Sequence, residues 1–234
     1  MQMKKFINDP DNLTAELLEG LALANPDILE LGEDNMVINK KLAEADRLSD
    51  IDSKFGDGDH GITITKIAKL MDERAEAWDE ESIKDFLDDL GMAAMAVRGG
   101  SAGPLYGTLI SGLGAQLGDD ENELSADAAR RMFAGCLAEM QDITNAQVGD
   151  KTMMDALIPA VEAAQACEAE GDDAAAVFAA AAEAAEAGAR ASEGFASKFG
   201  RARSYGDATI GTPDAGAVST ALFLRGLASG AARP

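Results

Sequence analysis

"DDAAAVFAAAAEAAEAGARASEGF", residues 172–195, is a stretch so low in complexity that it admits two readings, a flexible linker or a helix. Its small residues nevertheless keep helical spacing. Small side chains let neighbouring helices approach closely, so the stretch is predicted to be a core helix and not a tether. The rest of the chain then reads as more of the same.

Apolar residues recur three and four positions apart in most other segments, with Gly, Pro or Asp between them. Helices are predicted over about 38–54, 61–78, 82–98, 104–117, 125–142, 152–170, 173–196 and 215–229. A further helix is predicted in "LTAELLEGLAL", which follows "DPDN", where Asn12 can cap the first turn. No convincing strand and no 20–50 residue repeat is visible, so the expected class is all-α, a bundle of about eight or nine amphipathic helices.

The 234 residues suffice for one large domain or two small ones with a sizeable core. Aromatic residues make up only 5 %, and the composition favours helix. The net charge of −22, with a pI near 4.2, argues against nucleic acid or an anionic membrane as partner. Much of it sits in blocks such as "DERAEAWDEE" (72–81) and "LGDDENE" (117–123), read as solvated surface. Cys136 and Cys167 make neither a disulfide framework nor a CxxC metal pair, which fits a reducing compartment. "MQMKKFINDPDN" has no long apolar stretch after its lysines, and no run of 18 apolar residues occurs. A cytoplasmic location is the expectation.

The glycine-rich stretches "KFGDGDHG" (54–61), "VRGGSAGPL" (97–105), "NAQVGDKT" (145–152) and "SYGDATIGTPDAG" (204–216) all fall between predicted helices. In an up-and-down bundle alternate connections share one end. Counting from the 38–54 helix, all four are expected at the same end, where a site would lie.

Asp52, Asp57 and Asp59 offer six carboxylate oxygens without thiolates, a set suited to Mg²⁺ or Ca²⁺. A calcium EF-hand fails, because counting from Asp57 puts Gly61 at position 5 and Ala68 at position 12. The plainer alternative is an aspartate-rich turn that caps the following helix. "GGSAGPLYGT" (99–108) supplies flexible backbone before a helix, a place good for phosphate, although without the GK[ST] of a Walker A loop. Lys151 in "GDKT" either meets an anion or stands in solvent. Arg201 and Arg203 in "FGRARSYG" (199–206) either hold phosphate or answer a nearby carboxylate. Together these parts indicate a nucleotide or polyphosphate with magnesium.

"LSDIDSKFGDGDHG", "GGSAGPLYGT", "GDKTMMDAL" and "FGRARSYG…IGTPDAGA" occur in the order and approximate spacing of the L subunit of dihydroxyacetone kinase, DhaL, and the chain resembles that family over roughly residues 40–230. The resemblance implies an antiparallel barrel of eight amphipathic helices with ADP or ATP at one end. It implies that Asp52, Asp57 and Asp59 bind two Mg²⁺ ions bridging to the phosphates. It places His60, Gly61 and Thr63 beside the phosphates, Ser101 and Ala102 in the phosphate loop, and Thr144 and Met153 in the nucleotide pocket. Arg201 matches the family's nucleotide-contacting arginine, and Asp214, Ala215 and Gly216 match its late turn. That turn reads D-A-G here where the family has D-P-G, and Asp207-Ala208 stands where Glu-Arg is usual.

The same resemblance implies a kinase of dihydroxyacetone or a related ketose such as erythrulose. The partner would be a separate K subunit, with ATP or a phosphotransferase-system protein as phosphoryl donor. A non-catalytic module that binds a transcriptional regulator is the alternative. Residues 1–45, including "MKKFINDPDNLTAELLEGLALANPDI", resemble the start of the K subunit, which leaves 46–234 as the DhaL-like domain.

Overall fold

The computed structural model describes residues 35–78, 82–121 and 123–232. The predicted helix in "LTAELLEGLAL" and most of the K-like segment lie outside the described residues.

Among the described residues eight α-helices follow in order: α1 (Asn35–Ser53), α2 (His60–Ala77), α3 (Ile83–Met95), α4 (Ala102–Gly114), α5 (Ala126–Ile143), α6 (Met154–Ala166), α7 (Ala174–Ala191) and α8 (Ala215–Ala231). No β-strand occurs among the described residues, and the all-α expectation holds. The alanine-rich stretch is α7, with Val177, Phe178, Ala181 and Ala185 in the core. Sequential helices pack as neighbours, and α8 returns to lie against α7, α6, α1 and α2, closing the set into a ring. Among the described residues no helix is long and apolar enough to cross a membrane.

Alternation of direction sorts the helix starts to two ends. At the far end, α3, α5 and α7 begin with side-chain caps: Ser82 accepts from the Asp85 N–H at 3.1 Å, Ser125 from Ala128 at 3.0 Å and Asp173 from Ala176 at 3.1 Å. Trp78 closes α2 there, its ring 5.2 Å from that of Phe86 on α3. At the near end, α2, α4 and α6 begin at Asp59, Ser101 and Met153 with no side-chain cap. Helix α8 is capped at that end by Asp214, which accepts from the Ala217 N–H at 2.8 Å, and the Met154 N–H of α6 donates to Thr152 Oγ1 at 3.2 Å.

Two helices run differently from the sequence expectation. The 152–170 helix stops at Ala166, and the Arg130 guanidinium takes the carbonyls of Cys167 (2.8 Å) and Ala169 beyond it. After α7, a stretch expected as loop winds into a 3-10 helix at Arg201–Thr209, kinked at Gly206.

Helix α8 is buried almost all round, with Leu222, Phe223 and Leu224 consecutively in the core. Close approach elsewhere depends on glycine. A Cβ at Gly61 of α2 would overlap the Ala45 carbonyl of α1, and one at Gly107 of α4 would overlap the backbone of α3.

Candidate functional site

The near end gathers the four glycine-rich connections. Asp57, in the α1–α2 loop, is ion-paired with Arg201 of the 3-10 helix, and the Phe55 and Tyr205 rings lie 5.2 Å apart across the same two segments. Lys198 reaches Asp150 of the α5–α6 loop at 2.5 Å. Thr63 of α2 packs under Gly99 of the α3–α4 loop.

At the centre is the acidic group. Helix α1 ends in a turn in which the Phe55 and Gly56 N–H groups donate to the Asp52 carbonyl, at 3.1 and 2.6 Å. This turn folds the loop back so that Asp52, Asp57 and Asp59 each bring an oxygen within 4.8 Å of the others. Burial, and then the charges of Asp57 and Asp52, push the Asp59 carboxyl above its ordinary range. The hydrogen bond from Arg201 holds Asp57 below it. Three mutually repelling carboxylates, all hard oxygen donors, make a set that fits a divalent cation such as Mg²⁺.

His60 opens α2 behind this group. Its Nε2 lies 2.9 Å from Ser219 Oγ of α8, and Tyr106 of α4 donates to the same oxygen at 2.7 Å. Burial lowers the His60 pKa, against the Asp52 charge and a backbone hydrogen bond to Ala215. Burial also pushes the Tyr106 hydroxyl up to about 12. A neutral imidazole, a hydroxyl and a phenol thus tie the starts of α2 and α8 to the middle of α4.

The other predicted residues are distributed around this core. Met153, at the start of α6, packs on Gly216 at the start of α8. Ser101 is exposed and Ala102 buried at the start of α4, after Gly100, whose φ of 53° suits glycine. Thr144 ends α5, and its hydroxyl accepts from the Ala146 N–H at 3.2 Å. Gly61 and Thr63 are buried in helix packing, and the Thr63 N–H is used by the Asp59 carbonyl at 2.9 Å. What Gly61 can offer a ligand is its backbone N–H in the first turn of α2.

Lys151 corrects the sequence expectation outright, since it meets neither an anion nor solvent. It is 5 % exposed, and its Nζ donates to the carbonyls of Thr212 (2.5 Å), Ser192 (2.7 Å) and Phe195 (3.0 Å). Asp155, fully buried, accepts from the Gly149 and Thr152 N–H groups at 2.6 Å each and so shapes the turn that carries Lys151. Arg203 is exposed. The Tyr106–Ser219–His60 chain has no sequence signature, because hydroxyls at helix positions have no spacing of their own.

Residues 54–229 match the model of the DAK2 domain. The chain is 36 % identical over 193 residues to the D-erythrulose kinase of Mycolicibacterium smegmatis, covering 80 % of this chain and 33 % of that protein. It is 34 % identical over 185 residues to the ADP-binding subunit DhaL of a PEP-dependent dihydroxyacetone kinase of Listeria innocua, covering 77 % and 84 %. The chain thus spans most of the DhaL subunit but a third of the erythrulose kinase. Among solved structures, the dihydroxyacetone kinase of C. freundii in complex with AMP-PNP and Mg²⁺ superposes with a TM-score of 0.60 at 24 % identity, over 92 % of this chain and 32 % of that one.

Proposed function

The chain belongs to the DAK2 domain family, and from that premise we propose that it is the Mg·nucleotide-bearing part of a kinase for dihydroxyacetone or a related ketose. The observation that carries the reading is the direction of the helices. Four N-termini, those of α2, α4, α6 and α8, point to the end that holds the three carboxylates; at α2 and α4 no side chain takes a first-turn N–H, whereas Thr152 Oγ1 takes that of Met154 in α6 and Asp214 caps α8. Uncapped N–H groups and the positive ends of helix dipoles favour phosphate, while carboxylates favour the cation that accompanies it.

Asp52, Asp57 and Asp59 are the residues to hold magnesium, as two ions in this proposal, and magnesium would neutralise charge on the phosphoryl group being transferred. The uncapped first turns of α2 and α4 direct N–H groups at phosphate oxygens. Arg201, exposed beside Asp57, supplies a planar donor fork at the rim. Met153 and Gly216 form a floor on which the rest of the nucleotide can lie, with Thr144 one loop away. His60, held neutral against Ser219, orders the metal-side loop and is not free to form a bond with a carbonyl substrate. The described residues position and stabilise charge, and none among them is arranged as a covalent nucleophile.

The sequence has a single histidine, and that one is engaged. A separate K subunit carrying the sugar site is part of the proposal, as the family resemblance implies, with ATP or a phosphotransferase-system protein as donor. The test mixes purified chain, Mg²⁺, ATP or a phosphotransfer system, and dihydroxyacetone or erythrulose. Ketose phosphate is expected only once a cognate K subunit is added. Turnover by the chain alone would refute the two-component reading, and Mg·nucleotide binding that never supports turnover with a K subunit would favour a regulatory module.

A further inference from the structure

Lys151 is the one non-glycine residue with positive φ (60°) among the described residues. A left-handed lysine is strained, and a buried ammonium loses its hydration, so the arrangement persists only where surrounding contacts enforce it. Those contacts are specific. An ammonium has three protons, and here each meets a backbone carbonyl.

The three carbonyls have a common topology. Ser192 and Phe195 lie where the chain leaves α7, and Thr212 lies where it comes back to begin α8. Between them runs the excursion 196–211, which carries Arg201 out to Asp57. The neck is tied twice more, by the Ser197 N–H on Thr209 Oγ1 at 2.9 Å and the Gly211 N–H on the Glu193 carbonyl at 2.8 Å. The Asp214 N–H, at the start of α8, donates to Ser192 Oγ at 2.9 Å. One ammonium thus joins the outgoing chain, the returning chain and the α5–α6 loop at a single point.

We propose that Lys151 is a positioning residue for the nucleotide site: it fixes where Arg201 and the start of α8 stand, without touching nucleotide itself. The proposal rests on the Mg·nucleotide reading above. A lysine that merely stabilised the fold would act on the whole ring of helices. A positioning lysine acts through Arg201, so removing either should remove the same contribution to binding.

The test measures Mg·ADP affinity by calorimetry and amide hydrogen exchange for wild type, Lys151→Met, Arg201→Ala and the double variant. Lys151→Met should weaken Mg·ADP about tenfold or more and speed exchange over 196–211 while α3–α5 stay protected. The double variant should bind within about threefold of the weaker single variant, because the two losses are one loss. Should Lys151→Met not fold, Thr209→Val cuts another tie of the same neck and should again lose affinity non-additively with Arg201→Ala. Wild-type affinity in the folded neck variant, or losses that multiply, would overturn the positioning role. A wild-type chain that binds no Mg·ADP would overturn the nucleotide reading instead, and the exchange data would still decide whether Lys151 pins 196–211.

Discussion

Gly188 of α7 lies directly on the carbonyl of Asp155 in α6, so close that a Cβ at 188 would overlap the carbonyl oxygen and crowd the Ala156 Cα. Pro159, four residues along α6, has no N–H to give that carbonyl. The Asp155 side chain, on the other side of the same residue, shapes the Lys151 turn. Helix packing is thus coupled through one residue to the geometry of the site. Gly188→Ala gains about 1 kcal/mol in helix propensity, yet backbone-on-backbone overlap costs more, about 1–3 kcal/mol or above. Urea unfolding should show net destabilisation, and a more stable variant would mean that the helices can part without cost.

Asp57→Asn tests the acidic group. Asp57 is half exposed and caps no helix, so the unfolding midpoint should hardly move. Mg·ADP affinity, read by calorimetry, should drop by about tenfold or more, since one of three charged oxygen donors is lost. Unchanged affinity would remove Asp57 from the metal site.

Arg201→Lys separates phosphate recognition from a surface ion pair. Both members of the pair are exposed, a setting in which ion pairs add little to stability. Thermal unfolding is expected to match wild type. Affinity for Mg·ADP should fall about tenfold, because an ammonium cannot reproduce the guanidinium fork; equal affinity would leave Arg201 as a partner of Asp57 alone.

Asp214 gives the stability of the chain a pH dependence. Burial raises its carboxyl from 3.8 to about 7, helped by Asp155 and opposed by Lys151 and by the Ala217 and Gly216 N–H groups. The folded chain therefore keeps this proton to higher pH than the unfolded chain. Its contribution is full below about pH 4 and is lost as pH rises through about 7. Asparagine keeps the cap on Ala217 but cannot titrate. Relative to wild type, Asp214→Asn should become steadily more stable from pH 4 to 8, by at most about 4 kcal/mol. A pH-independent difference in urea midpoints would contradict the raised pKa.

The fold was legible because amphipathic spacing is local: α7 follows from the 172–195 pattern. The convergence of Asp57 and Arg201 followed from counting helices, since direction alternates in a bundle. Three things were not legible. The 3-10 turn at Arg201–Thr209 looks like loop because glycines punctuate it and it has no apolar period. Lys151 reads as a surface residue because its acceptors, 41, 44 and 61 positions away, are backbone carbonyls of no particular residue type. The absence of caps at Asp59 and Ser101 is equally invisible, because Asp and Ser are good capping residues by composition and only geometry shows that neither side chain takes a helix N–H.

Trp78 is the single tryptophan of the chain, and it stands against Phe86 at the opposite end of α2 from His60. The 18 residues of that helix put about 27 Å between the indole and the carboxylates. Its emission therefore reports the integrity of the α2–α3 junction and hardly senses what binds among the loops. The protein carries an intrinsic fluorescent gauge of its own unfolding that is nearly blind to its ligand.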